Sequence, residues 1–457
     1  MRIRKGLTFV VVAWASALGG VLTPHMAMGQ TAEASVPAPA PVFDGAAKSQ
    51  AIAAAAKLLT DEYVFPDVGV KAAAMLTQNL AAGKYDAAAT PGDFAAQVTT
   101  DLRDFTHDKH LRVDADDATP EGVPPGPPPP VGLYGFAQVD RLKGNIGYIV
   151  LNYFWHKDSA KIGADKAMGL LASTDALIID LRNNGGGDPE AVAYLDSFFV
   201  DGKTPVHITD LLWRKAGTTD YTRQVLSTGP TPVSYLNKPV YLITSHYTFS
   251  GAEAFAYDLR NLKRATMVGE VTVGGAHPVD FQPIGSGLFL WVPYGYPDNP
   301  ITHTDWEGTG VQPDIPVPAD QGFATAYDAA LHVLGRQAPV SVDSAEAVTE
   351  AHLLLPPRNE AAPGSEDALR RYIAGLADGN PPYDLMSADW AANTRQNLAW
   401  LQPTVAKLGA LQSLTFVRVD LMGQDVYDGQ FANGLDHFQI ALGPDGKITS
   451  CWFQTAQ

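Results

Sequence analysis

Ser250 stands in "TSHYTFSGAEAF", residues 244–255, where an apolar run ends and an amphipathic helical spacing begins. Two chemistries are open to a hydroxyl at such a junction. With Glu253 it spells Ser-x-x-Glu, the box in which hydroxyl and carboxylate satisfy the orphan backbone donors of a helix start. The same turn would also present a serine to a carbonyl carbon, provided that a base takes its proton and N–H groups hold the oxyanion.

A second junction of the same design could supply those N–H groups. In "ALIIDLRNNGGGDPEAV", residues 176–192, a strand-like run empties into Gly185, Gly186 and Gly187, and a helix opens at once with Asp188-Pro189. Such a loop lets backbone amides approach a ligand closely, and the helix end favours negative charge. A phosphate would fit, but the loop has neither Gly-Lys-Ser/Thr nor Gly-x-Gly-x-x-Gly. A tight turn needing positive φ would fit too. If the two strands are parallel neighbours, the Gly251 and Gly186 amides converge on one oxyanion beside Ser250. Asp180 and Arg182, ending the strand, are expected to pair and anchor the loop.

These junctions need a scaffold, and the chain reads as several units. Arg2, Arg4 and Lys5, the apolar run 7–22 and Ala27-Met28-Gly29 predict a cleaved export signal over residues 1–29. That run is shorter than the roughly 20 residues a membrane span needs. An Ala/Pro/Ser tether follows to residue 44. Apolar spacings of three to four predict a helical unit over 45–118, closed by the proline-rich linker 119–131. Strand and helix patterns then alternate over 132–335, which argues a layered α/β core with ligand chemistry at the carboxyl ends of the strands. A second linker, 336–364, precedes an α+β module over 365–457, a helix capped by Ser365 and then an antiparallel meander. The single cysteine, Cys451, excludes an internal disulfide and reads as a buried strand thiol.

Charge narrows the partners. The formal net charge is −17, and losing three positive charges with the leader would leave −20, which disfavours nucleic acid and anionic membranes. The sequence has no His-Glu-x-x-His and no cysteine pair, so neither a metal nor another cofactor is expected.

Four motifs in order, Asp180–Gly187, Thr248–Glu253, Val268-Gly269-Glu270 and "EGTGVQPDI" over 307–315, resemble the tail-specific protease family of serine peptidases, which includes the C-terminal processing peptidases, the tricorn core and the interphotoreceptor retinoid-binding modules. The resemblance covers residues 45–335 and implies a crotonase-like core, Ser250 as nucleophile and hydrolysis of peptides or unfolded chains, which the expected export signal would place in the periplasm or outside the cell. The processing peptidases of this family use a serine–lysine dyad, and Gly275 stands where that lysine would be. The tricorn-like and retinoid-binding-like branch takes its base from an Asp-x-His-x-x-Val pattern, met here by Asp108, His110 and Val113. His110 is thus implied as base, Glu307 as the acid ordering it, and His107 as a fallback. The tricorn core carries a relay serine where this chain has Lys109. Residues 361–457 resemble NTF2-like domains. Ester hydrolysis by the same site, or lipid binding without turnover, are the competing functions.

Overall fold

The computed structural model describes residues 43–115, 134–337, 347–352, 358–420, 423–443 and 445–455. The expected export signal, nearly all of the tether and the linker 119–131 lie outside the described residues. No helix among them is long and apolar enough to cross a membrane.

The chain is mixed α/β. Three helices come first, α1 (Gly45–Glu62), α2 (Pro66–Ala81) and α3 (Pro91–Thr106). The start of α3 is written into the sequence: Thr90 and Asp93 form a capping box, with Pro91 at the first helical position. After β1 (Arg112–Ala115) come β2 (Phe136–Leu142), β3 (Ile146–Leu151), α4 (Lys157–Leu171), β4 (Ala176–Asp180), α5 (Pro189–Asp196), β5 (His207–Arg214), β6 (Tyr221–Ser227) and β7 (Val240–Thr244). Next are α6 (Gly251–Asn261), β8 (Thr266–Gly269), β9 (Val279–Gly285), β10 (Leu288–Pro293), β11 (Gly295–Asp298), β12 (Ile315–Pro316), α7 (Gly322–Val333) and β13 (Val348–His352).

The central sheet runs β12-β8-β7-β4-β3-β2-β13. From β12 to β3 its strands are parallel, and β2 and β13 add antiparallel pairings. β4 and β7 are buried at every position, which is why they read as continuous apolar runs. Ile149, Leu177, Ile179, Leu242 and Met267 pack with α4, α5 and α6 on one face. Tyr148, Ile178, Tyr241, Ile243 and Val268 pack with α7 on the other.

Three expectations change. The stretch 336–364 is more than a linker: β13 pairs antiparallel with β2, from Val348 opposite Leu142 to His352 opposite Val139, and so covers an otherwise open sheet edge. "GLFLWVPYG" is a strand, as expected, but leaves the central sheet: β10 lies between β9 and β1. Its Leu288, Leu290 and Val292 share a core with Leu59, Leu76, Phe94 and Leu102 of the three helices, so the helical unit is clamped on a hairpin of the core. Finally, α8 (Ser365–Ala377) is capped by Gly364, while the Ser365 hydroxyl faces the Tyr427 hydroxyl at 2.6 Å.

The carboxyl-terminal unit adds α9 (Ala388–Leu408) and a meander in the expected order, β14 (Leu411–Val419), β15 (Asp425–Phe431), β16 (Gly434–Leu442) and β17 (Ile448–Thr455). Cys451 is buried on β17. Ala441 packs into the main core cluster, and Tyr134 Oη donates to the Leu442 carbonyl at 3.4 Å.

Candidate active site

β4 and β7 are parallel neighbours, in register from Leu177 opposite Val240 to Asp180 opposite Ile243. Both loops therefore leave the same edge of the sheet. Phe249 N–H donates to the Asn184 carbonyl at 3.0 Å, and Thr248 Oγ1 to the Leu181 carbonyl at 2.8 Å. The Arg182 guanidinium forks onto Asp180, whose Oδ2 also accepts from Tyr148 Oη at 2.8 Å, so the expected pair does anchor the glycine loop.

Ser250 opens α6 with φ 54° and ψ −119°. A helix cap is ordinarily extended, so capping alone does not ask for this conformation. A serine held at such a positive φ costs about 1–3 kcal/mol, and strain of this kind collects at functional sites. Glu253 supplies the carboxylate half of the capping box, accepting the Ser250 N–H at 2.9 Å.

The glycine loop meets this turn at close range. A side chain on Gly186, φ 104°, would put its Cβ 2.7 Å from the Ser250 Cβ and 2.8 Å from Gly251 N. The Gly186 N–H, however, donates to Asn184 Oδ1 at 2.9 Å, which corrects the expectation that it is free for an oxyanion. Its neighbour Gly187 lies against the same turn. Phe154 bridges this loop through Gly186 O and Asp188 N, a pattern that turns the Gly187 N–H away from Phe154. A Cβ on Gly251 would fall 3.0 Å from Gly187 N. Gly251 N is the first helical amide, an orphan donor by position.

β1 pairs antiparallel with β10, Arg112 opposite Trp291, and this carries the preceding residues to the loop edge. The buried His110 ring stacks on Phe249 with centroids 4.3 Å apart. Its Nδ1 has no hydrogen-bond partner among the described residues, and burial pushes its pKa down to about 3. No hydrogen bond joins this ring to the Ser250 hydroxyl. His107 lies elsewhere: exposed, in a left-handed conformation, it closes α3.

Asp108 organises what surrounds His110. Its Oδ1 accepts the His110 N–H at 3.0 Å, and its Oδ2 accepts Tyr63 Oη at 3.1 Å and faces His277 Nδ1 at 2.7 Å. His277 Nδ1 is also 3.6 Å from Glu307 Oε2. Burial works against charge on both Asp108 and His277, but their bond outweighs it, holding the carboxyl low and the imidazole high. Burial pushes Glu307 up. Glu307 Oε1 accepts the Lys109 N–H at 3.1 Å, so the link to the histidine segment uses a backbone donor that needs no particular residue at 109. Side-chain oxygens or nitrogens of Asp108, His110 and Glu307 all lie within 4.8 Å of one another. These donor types could meet a divalent cation, yet both Asp108 oxygens already accept hydrogen bonds.

Residues 145–317 match the profile of peptidase family S41, and residues 46–131 match the N-terminal domain of Peptidase_S41 in eukaryotic IRBP. The chain belongs to peptidase family S41. Ser250 falls within the first match and His110 within the second. The chain is similar to carboxyl-terminal-processing peptidase 2, chloroplastic, of Arabidopsis thaliana, 29% identical over 38% of this chain and 32% of that one. It is also similar to the carboxyl-terminal-processing protease of Picosynechococcus, 27% identical over 44% of this chain and 48% of that one. It thus spans a third to a half of the length of these relatives. The photosystem II D1 C-terminal processing protease superposes with a TM-score of 0.42 at 16% identity, over 62% of this chain and 98% of that chain.

Within this S41 chain, Gly275 explains how the histidine fits. A Cβ there would fall 2.1 Å from Phe249 Cε2 and 2.9 Å from His110 Cε1, so the His110 ring uses the space that a side chain at 275 would fill. Glu253, fully buried, fixes this segment by accepting the Gly274 and Gly275 N–H groups at 2.7 and 2.9 Å and the Thr272 hydroxyl. Burial raises its pKa to about 7. Gly275→Ala is expected to destabilise the protein by about 1–3 kcal/mol through overpacking and to displace His110. An unchanged melting temperature and unchanged turnover would refute this account of the glycine.

Of the aromatics near Glu307, Trp306 is buried, donates Nε1 to the Gly275 carbonyl at 2.9 Å and lines a pocket that Ser250 also lines. Tyr294 instead stacks on Trp213, and Tyr296 packs against Phe65 and Tyr221. The exposed His246 pairs with Glu270 at 2.5 Å. His277 went unnoticed in the sequence. "GGAHP" carries no signal of its own, and only the fold sets this ring against Asp108.

Proposed function

We propose that the protein is a serine peptidase in which Ser250 attacks the scissile carbonyl, His110 takes the hydroxyl proton, and the Gly251 and Gly187 amides hold the oxyanion. One convergence carries this reading: a strained serine, two backbone N–H groups beside it, and a buried neutral imidazole packed on the neighbouring residue. His110 then gives its proton to the leaving amine, and water releases the acyl group by the same path in reverse. The base is ready because burial keeps it unprotonated. The Asp108–His277 pair and Glu307 hold the segment in place from behind, through the backbone amides of His110 and Lys109. The ring and the hydroxyl are not hydrogen-bonded to each other, and such bonds commonly tighten only when substrate arrives.

On this reading the layered body is a crotonase-like core, the helical unit supplies the base, and the carboxyl-terminal unit is an NTF2-like cone used for docking. The substrates are peptides or unfolded chains, met in the cell envelope or outside the cell after the signal is removed. The processing peptidases named above support the reaction class.

A fluorophosphonate probe tests the reading directly. The expected adduct is on Ser250, located by peptide mapping, together with hydrolysis of a peptide panel. Faster turnover of esters with no peptide cleavage would reassign the reaction. Absence of both labelling and hydrolysis, with lipid retained in native mass spectrometry, would replace catalysis with ligand carriage.

A further inference from the structure

The pocket beside Ser250 runs between α5 and α6, with Val192, Ala193, Ala254 and Asp258 among its walls. On α6, Ser250, Ala254 and Asp258 are spaced by four and fall on one stripe. Asp258 therefore stands two turns below the nucleophile, about 12 Å along the helix axis. On α5, Asp196 comes one turn after the pocket-lining Val192 and Ala193 and is close enough to Asp258 to feel its charge. Both acids are buried, at 3% exposure for Asp258 and 0% for Asp196. Asp258 Oδ1 accepts from Asn299 Nδ2 at 3.2 Å. Neither oxygen of Asp196 has a hydrogen-bond partner among the described residues.

A buried carboxyl group without a partner is costly; Asp196 is one, and it lies near Asp258, the acid in the wall of this mostly apolar pocket. Burial pushes both well above the ordinary carboxylate range, and the charge of Asp258 adds to the effect on Asp196. A cation entering the pocket would supply a counter-charge that favours ionisation of both acids.

Resting on the serine-peptidase reading, we propose that this pocket takes the side chain preceding the scissile bond and selects lysine or arginine, with Asp258 meeting its charged end and Asp196 adding its charge from behind Asp258. Gly187 and Gly251, whose amides are assigned to the oxyanion, also line the pocket, so a residue whose carbonyl sits between them can direct its side chain into it. The depth suits a long chain, and the alanine and valine walls suit its methylene stem. An apolar side chain of equal length would bring no counter-charge to the two acids, and sites built for a polar group discriminate strongly against analogues lacking it.

The test compares fluorogenic peptides with lysine, arginine or norleucine before the scissile bond, and fluorescent p-aminobenzamidine as a binding probe that needs no turnover. The wild type is expected to favour lysine and arginine over norleucine by about 100-fold or more in kcat/KM. Asp258→Asn and Asp196→Asn, each checked for folding by thermal melting, should bring that ratio below about tenfold and weaken p-aminobenzamidine binding. Norleucine equalling lysine in the wild type, or a ratio untouched by either variant, would overturn the proposal. If fluorophosphonate labels Ser250 without any basic preference, the specificity falls and the peptidase stands. If p-aminobenzamidine binds in an Asp258-dependent manner without labelling, the basic pocket stands and the peptidase reading falls.

Discussion

Replacing Ser250 with alanine is expected to lower kcat/KM on a cleaved peptide by roughly 10⁴- to 10⁶-fold, the range for loss of a serine nucleophile. The fold should survive. Alanine keeps the backbone strain of φ 54°, and the turn's tethers, Phe249 N–H to Asn184 and Thr248 Oγ1 to Leu181, do not involve the hydroxyl. Ser250→Gly separates the two properties: it should be equally inactive, yet gain stability by relieving a strain of about 1–3 kcal/mol. Purified Ser250→Ala retaining more than a hundredth of the activity would remove the serine from the mechanism.

His110→Gln carries the second large effect, an expected fall of roughly 10³- to 10⁴-fold in kcat/KM, since general-base catalysis contributes up to about that much. The pH profile gives a sharper test. A base works unprotonated, and burial depresses this imidazole to about 3. The acid limb of the wild-type kcat/KM profile should therefore lie well below pH 6.5, the ordinary histidine value. A limb at pH 6–7 would mean that the ring titrates in solvent and is not the buried base.

Stability follows the same shift with a definite sign. A histidine whose folded pKa is depressed contributes stability that is fully present above its unfolded pKa, near 6.5, and is lost as pH falls towards 3. Between pH 6.5 and 5 that is about 2 kcal/mol. Glu253 acts in the opposite direction, because its folded pKa is raised to about 7: its contribution is present below about pH 4.5 and lost as pH rises through 7. The wild type alone therefore shows only the sum. The difference in melting temperature between wild type and His110→Gln, followed from pH 7 to 5, isolates the histidine.

Local pattern carried much of this protein. The apolar runs of β4 and β7 show in the sequence because a strand buried on both faces tolerates only such residues. Pro91 and the Thr90–Asp93 box mark the start of α3 because capping is satisfied within a few residues. The serine, the glycine loop and the family were legible for the same reason. β13 was not, since Val348–His352 is a strand only by virtue of an open edge at β2. Nor was the choice of glycine: Gly186 and Gly187 look alike in a run of three, and only the Asn184 side chain, which takes the Gly186 amide, distinguishes them.

The site's depth belongs to the tertiary structure. His277 meets Asp108 across 169 residues of chain and Glu307 meets the Lys109 amide across 198, separations over which sequence carries no local signature. The acids below Ser250 are similar, each an ordinary helical aspartate until α5 and α6 pack together and exclude water from both. Sequence alone settled which groups could react, because type and turn are local properties. Which of them are dry, paired and within reach was decided by packing, because burial and charge pairing exist only once distant segments meet.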